Sequence, residues 1–369
     1  MQQNNNLTKY LGLGIAVLML PVLMGILGLG NYWVRIADFA LLYIMLALGL
    51  NIVVGFAGLL DLGYVAFFAV GAYLVGFLSS PHLTTQFEWI HNMFPNGLHL
   101  SVWAIVPIAG LVAAGFGILL GSPTLKLRGD YLAIVTLGFG EIIRIFMNNL
   151  DRPLNITNGP KGIKAIDPIT IFGYDLSISH NIFGIKVSSE VLYYYLFVVL
   201  VCMVVFICKR IQNSRMGRAW VAIREDEIAA KAMGINTTKM KLAAFALGAS
   251  FGGVSGAMFA SFQQFISPES FVLWESIVIL AMVVIGGIGH IPGVILGGIV
   301  LTLMPELLRS TVEPIQRTIF GTVFLEAEVA RQLFFALALL LVMLFKTDGL
   351  WPAPKHEDRV KKANKSKKA

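Results

Sequence analysis

Few residues in this chain have the type and spacing for bond-making chemistry. The stretch "GASFG", Gly248 to Gly252, matches the G-x-S-x-G of serine hydrolases, with Ser250 as nucleophile and His290 as its base. That chemistry needs a strand, a sharp turn and a helix to expose the serine. Here the stretch opens an apolar run in which Gly248, Gly252 and Gly256 recur every fourth residue. On a helix this spacing makes a stripe of small residues against which a neighbouring backbone can close. The glycine-rich "GGIGHIPGVILGG", Gly286 to Gly298, has no Walker-A lysine, and G-x-x-x-x-G-K-[ST] occurs nowhere, so nucleotide hydrolysis by that route is excluded. Its glycines and Pro292 suit tight packing or a broken helix lining a pathway. His82, His91 and His99 are nine and eight apart, a spacing that fits no compact metal motif, so solvated loop histidines are expected. Cys202 and Cys208 are six apart, on different helix faces, and read as packing residues. No catalytic residue and no metal ligand set emerges.

Polar residues inside apolar runs carry more information, because a lone charge near the centre of a bilayer costs at least roughly 2.5 to 3.5 kcal/mol. Glu141 and Arg144 are three positions apart and able to pair on one helix face. They read either as a structural ion pair or as lining of a translocation pathway. Asn51 and Asp61 flank the glycine-rich "GFAGLLDLG" and either cap a broken helix or face a cavity.

These residues must be positioned by membrane helices. Hydrophobic residues make up 57% of the 369 and charged residues 13%, and the mean hydropathy is +0.77, so the chain is an integral membrane protein. Apolar runs near 11–30, 37–57, 62–80, 101–120, 131–148, 191–208, 242–262, 272–289, 292–308 and 331–346 give an expectation of ten spans in an all-α polytopic fold. The connections at 57–62 and 289–292 are short enough for a broken or re-entrant helix instead of two crossings. The first run reads as a span, not a cleaved signal, after a polar N-terminus over 1–10. A transmembrane domain over 11–348 leaves a basic tail over 349–369 that is too polar to fold alone and suits contact with anionic lipid.

The pI near 9.3 does not point to nucleic acid. Eight of the 28 Lys and Arg lie between Lys209 and Lys241, and eight more between Lys346 and Lys368. With ten spans, both segments, Lys9 and the "KLR" of Lys126 to Arg128 fall on the cytoplasmic side, as do both termini. The long loop over 149–190, with four Lys and Arg, falls on the other side.

Within the basic 209–241 loop, Asp226 to Met233 reads as one short helix. Glu225, Asp226 and Glu227 load its N-terminus with negative charge, Lys231 stands one turn after Glu227, and Gly234 supplies a left-handed stop before Ile235. Eight residues make a rod of about 12 Å. A helix this short is marginal alone in water, and its small residues suit docking into a groove.

"EDEIAAKAMGI" resembles the cytoplasmic loop of ABC-importer permeases, whose hallmark is Glu-Ala-Ala, three residues, then Gly. Ala229, Ala230 and Gly234 keep the Ala-Ala-x-x-x-Gly spacing, while Ile228 intervenes after Glu227. The variant "NSRMGRAWVAIREDEIAAKAMGI" is similar to the branched-chain amino-acid permease family. "ALGLNIVVGFAGLLDLGYVAFFAVGAY", "LRGDYLAIVTLGFGEIIRIFMNN", "TNGPKGI" and "MVVIGGIGHIPGVILGG" resemble the longer of its two permease subunits, over about 36–346. The resemblance implies a multi-pass bacterial inner-membrane subunit, not an enzyme, that pairs with a second, homologous permease. Two cytoplasmic ATPases holding ATP and Mg would dock on the loop, and a periplasmic binding protein would deliver the amino acid. This chain would bind no cofactor, and Arg224, Glu225, Asp226, Glu227, Ala229, Ala230 and Gly234 would form the ATPase-coupling element. Competing readings are an ion-coupled secondary transporter, motivated by Glu141 and Arg144, and a permease of the same architecture for urea or short amides.

Overall fold

A computed structural model describes residues 14, 16–26, 28, 30–95, 97–124, 127, 129–171, 173–182, 185–320, 327–346 and 349–351. The polar N-terminus over 1–10, Lys126, Arg128 and the tail from 352 lie outside the described residues. The membrane part is all-helical: α1 (Ala16–Ile26), α2 (Gly30–Asn51), α3 (Val65–Leu78), α4 (His82–Gln86), α5 (Glu88–Met93), α6 (Val102–Thr124), α7 (Asp130–Asn149), α8 (Ser189–Gln212), α9 (Arg215–Glu225), α10 (Glu227–Ala232), α11 (Thr237–Gln263), α12 (Leu273–Gly286), α13 (Ile291–Phe320) and α14 (Ala327–Phe345). A helix occupies part of each of the ten expected stretches. Among the described residues, six helical segments are long and apolar enough to cross a membrane: Gly30–Phe56, Val102–Thr124, Ser189–Gln212, Thr237–Gln263, Pro268–Gly286 and Ile291–Gln316. Ala16–Ile26, Val65–Leu78 and Val329–Val342 are apolar but shorter, and α7 carries Asp130, Glu141 and Arg144. Among the described residues, length and apolarity therefore support six crossings of the ten expected.

Helix α11 is the axis of the bundle, packed against α2, α3 and α6. Lipid tails are as apolar as leucine, so helices in a bilayer associate by close packing and not by escape from water. The glycines of α11 allow that packing on two faces. A Cβ on Gly248 would meet Val53 of the π-helical end of α2 at 2.4 Å, one on Gly252 would meet Phe67 at 3.0 Å, and one on Gly256 would meet the Phe68 carbonyl oxygen of α3 at 2.0 Å. Gly253 faces the other way, where a Cβ would meet Ala113 of α6 at 2.5 Å. The stripe expected at Gly248, Gly252 and Gly256 is thus one of two.

Both glycine-rich connections are helix interruptions. Helix α2 widens into a π-helical turn over Ile52–Phe56, after which 57–64 is largely irregular. The carboxylate of Asp61 accepts from the Gly63 amide (2.9 Å), the Leu62 amide donates to Thr136 Oγ1 of α7 (3.1 Å), and the Val65 amide donates to Ser276 Oγ of α12 (3.1 Å). The second interruption, 287–290, has Gly287 and Gly289 at φ of 122° and 81°. The chain after α14 folds back onto it, with the amides of Leu350 and Trp351 donating to the carbonyls of Ile285 (2.8 Å) and Gly286 (3.2 Å) at the end of α12.

The opposite end of the bundle carries 81–100 and the long segment 149–188. That segment holds the antiparallel ribbons β2 (Thr170–Ile171) with β3 (Tyr174–Asp175) and β4 (His180–Ile182) with β5 (Ile185–Val187), while β1 (Ile163–Lys164) pairs with β6 (Phe265–Ile266). Two of the three histidines expected to be solvated fasten these segments together. His82 Nε2 lies 2.9 Å from the Ile156 carbonyl, and His99 Nδ1 lies 2.7 Å from Asp167 Oδ2. Sequence spacing could not show this, because the partners are 74 and 68 residues away. His91 stays exposed.

Gly256→Ala is expected to destabilise the protein by about 1–3 kcal/mol, because the new methyl must displace backbone. Gly115→Ala, where nothing lies within 4 Å, leaves the thermal midpoint of the purified chain unchanged or slightly raised. Burial lowers the pKa of His82 below the ordinary imidazole value. The neutral ring is therefore the native form, and its contribution is complete above about pH 6.5 and lost as pH falls through the lowered value. Hydrogen exchange of 82–93, corrected for the intrinsic rate, should accelerate on acidification in this window, and His82→Gln should abolish that dependence.

Candidate functional site

The basic loop is built as two capped helices, not one. Ser214 Oγ accepts from the Gly217 amide (3.2 Å) and starts α9, which buries Gly217, Trp220 and Ile223 at successive three-residue steps. Trp220 is fully buried, and its indole Nε1 donates to the Met240 carbonyl in the first turn of α11 (2.7 Å). The backbone turns extended at Asp226, whose carboxylate accepts from the amides of Ile228 (2.8 Å) and Ala229 (3.0 Å) and so caps α10. Gly234 at φ 84° ends the turn, while the Ile235 amide donates to the Ala230 carbonyl (3.1 Å). The expected helix over 226–233 is a six-residue helix with Asp226 and Met233 as its caps. Helix α9 had no counterpart in the sequence reading; its signals were Ser214 before an 11-residue amphipathic run and one tryptophan among charges.

The inner and outer faces of this element divide the expected coupling residues. The Arg224 guanidinium donates to the Gly55 carbonyl in the π-helical turn (2.6 Å). Glu227 pairs with Lys241 of α11 at 2.7 Å. Lys241 is buried, and its ammonium needs a carboxylate. Ala230 is also buried. Facing outward are Glu225, Asp226, Ala229, Lys231 and Gly234, together with two large apolar side chains, Ile228 at 72% and Met233 at 84% exposure. Beneath the element lies a cavity of about 270 Å³ lined by Gly58, Asp130, Arg224, Glu227 and Lys241, among others.

Arg224 touches both helix interruptions. A Cβ on Gly58 would lie 2.8 Å from Arg224 Cγ, and one on Gly289 would lie 3.1 Å from its guanidinium. Asn51 Oδ1 accepts from the Gly289 amide (2.9 Å) and ties the two interruptions to each other. Asn51 is therefore a bridge, and Asp61 caps its own turn. Glu141 and Arg144 lie apart from this group, at the end of α7 nearer the 149–188 segment. The Arg144 Nε donates to Glu141 Oε1 (2.8 Å), and Arg144 also approaches Glu269 at 3.9 Å. Ser250 Oγ donates to the Leu247 carbonyl one turn back (2.6 Å), and His290 Nδ1 lies 2.9 Å from the Trp351 carbonyl. Nucleophile and base are thus engaged with different parts of the fold. Among the described residues no group of three His, Cys, Asp or Glu is placed to hold a metal ion. The group around Arg224 joins an exposed helix to both helix interruptions.

The family described as branched-chain amino acid transport system / permease component matches residues 32–345. The chain is similar to the high-affinity branched-chain amino acid transport system permease protein LivM of Salmonella typhimurium and of Escherichia coli, 40% identical to each over 341 residues, which cover 89% of this chain and 72% of theirs. It is also 24% identical over 321 residues to the permease protein LivH of Salmonella typhimurium, covering 85% of this chain and 92% of that one. No solved structure matches at a significant level.

Trp220→Ala is expected to cost about 3–5 kcal/mol locally by leaving a cavity and removing the hydrogen bond to the Met240 carbonyl. Helix α9 then detaches, and trypsin should cut at Arg218 or Arg224 at least tenfold faster than in the parent, while Trp220→Phe gives an intermediate rate.

Proposed function

The chain belongs to the branched-chain amino acid transport system permease family, and we propose that it is the membrane-spanning subunit of an ATP-driven importer in which α10 receives the stroke of a cytoplasmic ATPase. The observation that carries this reading is the loop element itself. It offers Ile228 and Met233 outward on a rigid, doubly capped helix and is fixed inward by Arg224 to Gly55 and by Glu227 to Lys241. An exposed apolar pair on a helix suits insertion into a groove of a partner, and the inward anchors pass the displacement to both helix interruptions. The sequence has no phosphate-binding loop of the Walker type, so in an ATP-driven importer the nucleotide would be hydrolysed on a partner.

The likeness to two differently named permeases, LivM and LivH, supports pairing with a second, homologous permease to enclose the pathway. Two ATPases carrying ATP and Mg would bind the paired loops, and a periplasmic binding protein would present the amino acid at the end that holds the 149–188 segment. The chain itself needs no cofactor for this role. The Glu141–Arg144 pair, closed on itself and approached by Glu269, serves as a structural clamp at that end.

Replacing Ile228 and Met233 together by Asp is expected to abolish co-purification of the ATPase and to lower ATP-driven leucine uptake in vesicles at least tenfold, with insertion and trypsin pattern unchanged. Retention of the ATPase and of full uptake by this double variant overturns the assignment of α10.

A further inference from the structure

We propose that the corner between α8 and α9 binds the headgroup of an anionic phospholipid, whose acyl chains lie along α8. The site is independent of the transport reading. On α8 the exposed side chains are Val199, Cys202, Met203, Phe206 and Ile207, while Val201, Val204 and Cys208 face the bundle. Membrane helices that pack on one another do so mainly through small residues. A face of large apolar side chains suits acyl chains instead.

This face ends in cations at the depth where hydrocarbon ends. From Ser189 to Arg210 is about 31 Å of helix, against roughly 30 Å of hydrocarbon in a bilayer. Lys209 and Arg210 lie exposed in the last turn of α8, and the Arg210 guanidinium sits 6.0 Å from the centroid of the Phe206 ring. Its charge is thus carried on the apolar face itself. The chain turns at Asn213, and Arg215 and Arg218 stand exposed on the side of α9 away from its buried Gly217, Trp220 and Ile223. The Arg218 guanidinium donates to the Asn213 carbonyl (2.8 Å), which holds it at the turn, and a guanidinium has N–H groups left for a second acceptor. The positive end of the α9 dipole opens at the same place.

The protein does not neutralise this group. From 191 to 224 the sequence has five Lys and Arg and no Asp or Glu, and among the described residues Lys209, Arg210, Arg215 and Arg218 belong to no ion pair. Cations gathered at one turn repel each other, and an anion among them removes that cost. A phosphodiester with net negative charge, carried on two acyl chains, answers the cations and the apolar face together. A zwitterionic lipid would bring an ammonium to the same place, and an acidic protein surface would leave the apolar face of α8 uncovered. Helix α9 also carries Arg224 to the Gly55 carbonyl, so a lipid held here braces that helix from its outer side.

The test uses the purified full-length chain in detergent, titrated with phosphatidylglycerol or with phosphatidylcholine of equal acyl chains and read by native mass spectrometry. Phosphatidylglycerol should bind at least about tenfold more tightly than phosphatidylcholine, and an excess of inorganic phosphate, which has no acyl chains, should not displace it. Arg215→Gln combined with Arg218→Gln should weaken phosphatidylglycerol at least about tenfold and leave phosphatidylcholine unchanged. Lys161→Gln combined with Lys164→Gln, the same loss of exposed charge at the opposite end, should keep the parent affinity. Lys209→Gln should weaken phosphatidylglycerol about threefold or more, and it decides the matter if the double arginine variant does not fold. Equal affinity for the two lipids, displacement by phosphate, or parent-like binding by the variants at 209, 215 and 218 overturns the site. Loss of a co-purified ATPase from the double arginine variant, with phosphatidylglycerol binding unchanged, assigns these cations to a protein partner and overturns it as well.

Discussion

In hydrocarbon every backbone amide and carbonyl must find its partner inside the protein, and the rest of this fold follows from how the chain meets that demand where its helices stop short. Two interruptions, at 57–64 and 287–290, expose such groups. Their partners come from elsewhere in the bundle: Thr136 for Leu62, Ser276 for Val65 and Asn51 for Gly289. The π-helical turn leaves the Gly55 carbonyl to be answered by Arg224, which belongs to the loop and not to the bundle. The loop is thus part of what makes the interruptions tolerable. Moving it changes the accounts of the bundle at its two least regular places.

Close packing around α11 decides how such a movement spreads. Backbone approaches permitted by Gly248, Gly253 and Gly256 leave no room for a side chain, and interiors packed to this density transmit displacement instead of absorbing it. The loop grips the first turns of the same helix through Trp220 at Met240 and Glu227 at Lys241. On the proposed function, a push on α10 would reach α11 through these two contacts, and α2, α3 and α6 through the packing of α11.

Much of this was legible in the sequence, because it is written locally. The apolar runs located the helices, "GFAGLLDLG" and "GHIP" located both interruptions, and the acidic start and Gly234 located the loop helix to within a residue at each end. What escaped is long-range. Arg224 reaches a carbonyl 169 residues away, Asn51 an amide 238 away, and Tyr43 a carboxylate 232 away. Glu227 meets Lys241 of another helix because burial, not spacing, makes an ammonium demand a partner. A cavity near Glu275 and Arg331 was invisible for the same reason: its walls come from four helices, and no stretch of sequence holds more than a part of it.

Those two long-range contacts of α2 lie on one rod. Tyr43 meets Glu275 at the start of α12, and Asn51 meets Gly289 just beyond its end, so α2 and the α12 segment are joined near both extremities. Eight residues separate Tyr43 from Asn51, about 12 Å of helix. The cavity-lining face of α2 and the bridge that Arg224 adjoins are therefore carried by one uninterrupted helix, and no chain of side-chain rearrangements is needed between them. Any rotation of α2 that breaks the Asn51–Gly289 bond also shifts Tyr43 against Glu275. The two contacts therefore hold α2 against α12 as a pair, and neither can be broken by a rotation of α2 that leaves the other in place.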